Sequence, residues 1–420
     1  MSAEPNIGDS SWFTRDRFGL FIHWGTYSAA ARHEWVKYRE EIPDDEYQKY
    51  FRRFNPDLYD PVSWAREAKN AGMKYFVITT KHHEGFCLWD SALTDYKAPN
   101  TPAGRDLLAP MVEAFRAEGL KVGFYYSLID WHHPEYPIDG MHPMRNNIAF
   151  RESQKHRDIA KYREYLHGQV RELLTQFGKI DIMWFDFSYP HADWGWSKGK
   201  GKDDWHSEEL IAMVRRLQSH ILVNDRLDLD DADIRTPEQV QPRECMTVYG
   251  KPVVWEACQT LNGSWGYDRD NLDWKSADML VQMLVDAVSK GGNMLLNVGP
   301  NARGQFEPKA IERLRAIGDW MHLHGRAIYG CTKSEFAPPS DCRYTQNGNR
   351  LYLHFFAWPF GEVHLDGLAG KVEYAQLLND ASEIRFARED TESPRKTLSL
   401  KLPVQKPPVL VPVIELFLRD

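Results

Sequence analysis

The sequence predicts an α/β protein: an irregular (β/α)8-like barrel of the TIM type over residues 1–335, then a small β-sandwich over residues 336–420. Three observations lead there. A unit of helix, glycine and apolar strand recurs through the first three quarters of the chain. Its repeats at this length favour a closed barrel over an open sheet. After about Phe336 the helical periodicity gives way to short strands.

The unit is clearest where Asp60 and Pro61 supply an N-cap and a first-turn proline. Trp64, Ala68 and Ala71 then fall at i, i+4 and i+7, and Gly72 stops the helix. Met73 to Ile78 follows, short and mostly apolar, as a strand buried on both faces should be. The pattern returns with Leu108, Val112 and Phe115, then Gly119, then Val122 to Tyr125. It returns with Leu173, Leu174 and Phe177, then Gly178, then Ile180 to Phe185, and again with Leu210, Val214 and Leu217 before Ile221 to Asn224. A helix over Ser276–Ser289 ends at Gly291-Gly292 before Asn293 to Asn297. Gly19 to His23 and Val253 to Trp255 bring the strands to about seven, which predicts an imperfect barrel. Beyond the Pro338-Pro339 linker, Asn347-Gly348 signals a hairpin, Leu398, Leu400 and Leu402 alternate, and Val411 to Leu418 reads as a last strand. Trp194 to Lys202 is the one low-complexity stretch and is expected to be a mobile loop.

Composition narrows the function. The net charge of −8 offers nothing to recruit nucleic acid or an anionic membrane, and no stretch approaches ~18 consecutive apolar residues. Five scattered cysteines without CxxC spacing suggest neither a disulfide framework nor a zinc site. Met1 to Asp9 is short and polar, so the expected compartment is the cytoplasm unless a secretory signal has been trimmed. Aromatic residues make up 13% of the chain, fifteen of them tryptophan. Large cores account for most; the rest suit the apolar C–H faces of sugars.

In a (β/α) barrel the chemistry sits at the C-terminal strand ends. His23-Trp24, His82-His83-Glu84, Tyr125-Tyr126, Trp184-Phe185-Asp186 and Asn224-Asp225-Arg226 all fall there and would converge on one pocket. Asp186 is either a catalytic carboxylate or the cap of the next helix. Asp181, near the start of its strand, reads as serving folding. Glu238 and Glu34 are loop acids that position alone leaves as surface groups. A metal reading is weak, because His23-Trp24-Gly25 lacks a second histidine two places on. His82 and His83 would point to opposite sides of an extended strand. No GxGxxG lies at a strand-to-helix turn and no GxSxG is present.

These stretches resemble glycoside hydrolase family 29, the retaining α-L-fucosidases. The likeness rests on Phe18 to Gly25, Lys81 to Phe86, Asp90, Tyr125-Tyr126-Ser127, Asp130-Trp131, Trp184-Phe185-Asp186, Asn224-Asp225-Arg226 and Thr236-Pro237-Glu238. It continues through Trp255-Glu256, Ser264 to Tyr267, Lys290 to Asn293 and Leu296 to Pro300, in family order over roughly residues 12–330. The resemblance implies a (β/α) barrel with a C-terminal β-sandwich, Asp186 as nucleophile and Glu238 as general acid/base. It implies sugar contacts from His23, Glu34, Trp35, His82, His83, Tyr125, Trp184, Arg226 and Trp265, no cofactor or metal, and a fucosylated glycan as substrate. Glu256, beside Trp255 at an expected strand end, reads as a structural carboxylate. Phe187-Ser188-Tyr189 departs from the glycine- or methionine-containing versions of the family, which bears on the pocket wall. The linkage, the aglycone and the oligomeric state are not legible.

Overall fold

The computed structural model describes residues 8–419; the first seven residues of the polar N-terminal stretch lie outside the described residues. Seven parallel strands form one curled sheet: β1 (Phe18–Ile22), β2 (Tyr75–Lys81), β3 (Lys121–Ser127), β4 (Ile182–Asp186), β5 (Leu222–Val223), β6 (Glu256–Thr260) and β7 (Asn293–Val298). Their order is β5-β4-β3-β2-β1-β7-β6. The gap between β5 and β6 is spanned by residues 234–238. Ile234 bridges Asn224 on one side, and Arg235 and Glu238 bridge Trp255 and Cys258 on the other, all in parallel. This segment is an eighth, irregular strand. Pro237 within it has no N–H to give a ladder, which explains its irregularity.

The helix stops behave as local chemistry requires. Asp60 accepts hydrogen bonds from the N–H groups of Val62 and Ser63, with Pro61 in the first turn. Gly72 holds φ 87°, a left-handed value that a side chain would strain, and there the chain turns into β2. Asp181 accepts the Val122 N–H at 3.0 Å, so it serves folding at the start of β4.

Inside the barrel, Phe21, Tyr75, Val77, Tyr125, Ile182 and Trp184 pack into one buried cluster. A filled interior closes the barrel floor, so any cavity must open at the C-terminal mouth. The outer faces of the strands share a larger core with the surrounding helices. Beyond the helix Pro308–His324, a four-stranded and a three-stranded antiparallel sheet face each other across a separate apolar core. The Trp320 indole donates to the Val411 carbonyl at 2.8 Å and ties this sandwich to the barrel.

Three expectations need correction. The strand expected at Val253 to Trp255 lies at Glu256–Thr260 instead, so Glu256 begins its strand rather than ending the preceding run. Glu and Gln interrupt the apolar pattern there, while the apolar Val253-Val254 serves as the approach. The Trp194–Lys202 stretch is tied down, not free: buried Lys200 pairs with buried Asp139, and the Tyr189 hydroxyl donates to Asp139 at 2.7 Å. The Trp194 ring occupies the space that a side chain at Gly140 would need. Finally, His82 and His83 do not diverge. β2 ends at Lys81, the Gly85 N–H bonds the His82 carbonyl, and the turn brings the two imidazoles to 4.0 Å between centroids.

Candidate active site

The mouth of the barrel holds one pocket, lined by His23, Trp35, His82, His83, Tyr125, Trp184, Asp186, Arg226, Glu238 and Trp265, together with Phe21, Phe187 and Cys258. Ten of the eleven residues named from the sequence thus meet there. Glu34 lies behind the lining, fully buried, where its Oε2 accepts the Gly266 N–H at 2.7 Å and steadies the Trp265 loop. Glu256 is far below, inside the barrel, accepting the Tyr75 hydroxyl at 2.6 Å.

Arg226 organises the carboxylates. One terminal nitrogen donates to Asp186 Oδ1 and the other to Glu238 Oε2, each at 3.1 Å. Its Nε donates to Thr236 Oγ1, and Thr236 Oγ1 donates to Asp225, so Asn224 to Arg226 and the Thr-Pro-Glu segment lock together. The guanidinium also lies over the Trp184 ring, 5.1 Å from its centroid. A planar fork is suited to holding two carboxylates in one plane.

The two acids live in different surroundings. The Asp186 side chain is 15% exposed and that of Glu238 is 44% exposed. Burial pushes the Asp186 carboxyl above the usual carboxylate range; Arg226 pulls it down, the Glu238 charge pushes it up, and the 2.8 Å bond from the Tyr125 hydroxyl favours the ionised form.

Two of the pocket imidazoles, His23 and His83, are neutral acceptors. His23 Nδ1 lies 2.7 Å from Asn297 Oδ1, and because the Asn297 amide donates to the Trp265 carbonyl, its oxygen must accept from His23. Burial pushes the His23 imidazole down to about 3. His83 Nδ1 lies 2.7 Å from Ser127 Oγ, whose own proton goes to the Ile129 carbonyl. Burial lowers His83 as well. Both rings therefore carry the proton on Nδ1 and keep Nε2 as an acceptor.

Sequence reasoning gave no role to Asn297 or Ser127, and named Phe187 only as part of a tail bearing on the pocket wall, which it does line. The first two belong to stretches that carry the family likeness, but only geometry shows what they hold. Phe187 follows Asp186 at φ 84°, a backbone value unusual for a bulky side chain. Its neighbours fix it there: Ser188 Oγ donates to the Arg226 carbonyl at 2.6 Å, and the Tyr189 N–H to the Lys200 carbonyl at 2.7 Å. The Phe187 ring packs on His83 and Trp35, at 4.9 and 5.2 Å. Among the described residues no group of three or more His, Cys, Asp or Glu could hold a metal ion.

A parallel barrel whose mouth pairs two carboxylates among indoles and imidazoles is the architecture of a glycoside hydrolase. Comparison with known proteins narrows the class. The Alpha-L-fucosidase family model matches residues 6–326, and the chain belongs to that family, glycoside hydrolase family 29. It is 29% identical to the tissue α-L-fucosidase of Rattus norvegicus, over 96% of this chain and 87% of the relative. The α-L-fucosidase isoenzyme 1 of Paenibacillus thiaminolyticus has a similar structure, with TM-score 0.92 and 48% identity over 98% of this chain and 99% of that one. An α-L-fucosidase GH29 of Bacteroides thetaiotaomicron, solved as a trapped covalent intermediate in complex with 2-fluoro-fucosyl fluoride, superposes with TM-score 0.84. It is 30% identical over 100% of this chain and 98% of that one.

Proposed function

We propose that this enzyme is a retaining, exo-acting α-L-fucosidase that releases terminal L-fucose from fucosylated oligosaccharides or glycoconjugates by double displacement. The observation that carries the reading is the Arg226 fork joining Asp186 and Glu238 at the mouth of a blind pocket. Retaining enzymes need their carboxyl groups only about 5–5.5 Å apart, against about 6.5–9.5 Å for inverting ones, and a shared guanidinium favours the closer pair. The covalent intermediate of the Bacteroides relative points the same way.

In this reading Asp186 is the nucleophile. Its carboxylate, oriented by Arg226 and Tyr125, attacks the anomeric carbon and forms a covalent fucosyl-enzyme. Glu238 is the general acid/base. Its greater exposure suits a position towards the aglycone side, from which it would give the leaving oxygen a proton and then take one from the attacking water. His23, His82 and His83 accept sugar hydroxyl protons, and Trp35, Trp184 and Trp265 offer apolar faces. Phe21 and the indoles suit the C5 methyl group of fucose, which is apolar where many hexoses carry a hydroxymethyl. A closed floor admits the end of a glycan and not its middle, which supports exo action.

The test is release of L-fucose from 4-nitrophenyl α-L-fucoside and from α1,2-, α1,3-, α1,4- and α1,6-linked oligosaccharides, with the anomer formed first followed by NMR. The reading expects the α anomer first and no cleavage of internal linkages. First appearance of the β anomer would overturn retention.

A further inference from the structure

Three histidines line the pocket, and two of them have a hydrogen-bond partner behind the ring. Asn297 holds His23 Nδ1 and Ser127 holds His83 Nδ1, each at 2.7 Å. The third, His82, turns Nδ1 towards Glu84 Oε2 at 3.5 Å. Glu84 is 1% exposed, and neither of its oxygens has a hydrogen-bond partner among the described residues, so the 3.5 Å approach is a close contact and not a formed hydrogen bond. His82 Nδ1 has none either.

A buried carboxylate without a partner costs several kcal/mol, so a fold that keeps one next to a ligand-facing imidazole gains something by it. Removing Glu84 would leave His82 as the one pocket imidazole with nothing to fix its tautomer. The local backbone is built to hold the acid there. Gly25 leaves room for it, since a Cβ at that position would lie 3.2 Å from Glu84 Oε1. The next residue, Gly85, takes φ 88°, and a Cβ on it would lie 2.3 Å from Asp130 Oδ1. Only glycine makes that turn, and the turn brings the Glu84 carboxylate back beneath its neighbour's ring.

We propose that Glu84 is a positioning residue for the proposed reaction: closing the 3.5 Å approach by a small turn of the side chains, it accepts the His82 Nδ1 proton and so fixes Nε2 as an acceptor for a fucose hydroxyl. Glu84 itself does not touch the sugar. The three pocket imidazoles then share one arrangement, proton inward and lone pair towards the substrate, with a carboxylate behind the third instead of a neutral oxygen. The proposal rests on His82 contacting the sugar, as assigned under Proposed function.

The test is a double-mutant cycle on the full-length enzyme, using KM and kcat for 4-nitrophenyl α-L-fucoside and the Kd of L-fucose from calorimetry. Glu84→Leu removes the acceptor and should raise KM and Kd on the order of tenfold or more, with a smaller change in kcat. Glu84→Gln keeps a neutral acceptor and should give a smaller rise, because charge-assisted bonds are roughly twice as strong. In a His82→Ala background both substitutions should do nothing further. A purely structural role would lower the melting temperature and change KM by the same factor in both backgrounds, and that result overturns the proposal. Should Glu84→Leu fail to fold, the Glu84→Gln pair decides alone. If His82→Ala leaves KM and Kd unchanged, the sugar contact itself is wrong. If His82→Ala weakens binding but neither Glu84 variant does, the positioning role alone falls.

Discussion

Glu256 offers a prediction whose size follows from its surroundings. It lies inside the barrel, fully buried, with the Tyr75 hydroxyl at 2.6 Å and no charged partner among the described residues, and burial pushes its carboxyl from 4.5 up to about 7. At about 1.36 kcal/mol per unit, that displacement corresponds to about 3 kcal/mol. Its sign is fixed by proton linkage. Below about pH 4.5 the group is protonated in both states, and the fold carries no penalty. Between 4.5 and 7 the unfolded chain releases the proton while the fold retains it, so the contribution falls as pH rises, and above 7 the loss is complete. Glu256→Gln replaces the neutral acid by a neutral amide of the same shape and removes that slope. Unfolding free energies from urea titrations, followed by tryptophan fluorescence at pH 5 and pH 9, should show the variant gaining on the parent by about 2.5 kcal/mol between the two values, the rest of the loss having already occurred below pH 5. Taking the difference cancels groups common to both proteins. Parallel pH profiles for parent and variant would refute the reasoning, because Glu256 would then titrate alike in folded and unfolded chains.

Two further predictions concern the pocket. Arg226→Leu should lower kcat/KM by on the order of 10²-fold or more, since it removes two charged hydrogen bonds. It should also move the acid limb of the pH–rate profile upward, because Arg226 is the main influence holding the Asp186 carboxyl down against burial; an unmoved limb would remove Asp186 from the rate-limiting ionisation. Activity should survive prolonged dialysis against EDTA, and a loss that zinc restores would contradict a mechanism run by two carboxylates.

Much of this was legible in the chain because local rules and global fold agree. Asp60, Pro61 and Gly72 mark one helix and its exit. The apolar runs around Phe76, Phe124 and Met183 became strands buried on both faces. Legibility failed where the barrel is irregular. Residues 234–238 pair on both sides, but Pro237 hides a strand from any pattern of apolar residues. Strand β6 carries Glu256 and Gln259, so the preceding Val253-Val254 drew the assignment. The polar Trp194–Lys202 stretch looked loose because its anchor, Asp139, lies 61 residues from Lys200 in the chain. The pocket residues were named by residue type at strand ends and by family likeness. What holds each of them, such as Asn297 behind His23, depends on contacts between distant strands that no local spacing encodes.

The central claim assigns Asp186 and Glu238 opposite roles, and the stereochemistry of azide rescue tests it most directly. In Asp186→Gly the nucleophile is gone, so azide entering its place attacks an activated aryl α-fucoside once and gives the β-fucosyl azide. In Glu238→Ala the covalent intermediate still forms from a good leaving group, and azide arriving from the acid/base side gives the α-fucosyl azide with overall retention. Without azide, either variant should lose on the order of 10²–10⁴-fold or more on a natural glycan. Opposite anomers from the two variants are the predicted result. Wild-type turnover by Asp186→Gly, or the α-azide from Glu256→Ala while Glu238→Ala stays fully active, would contradict it.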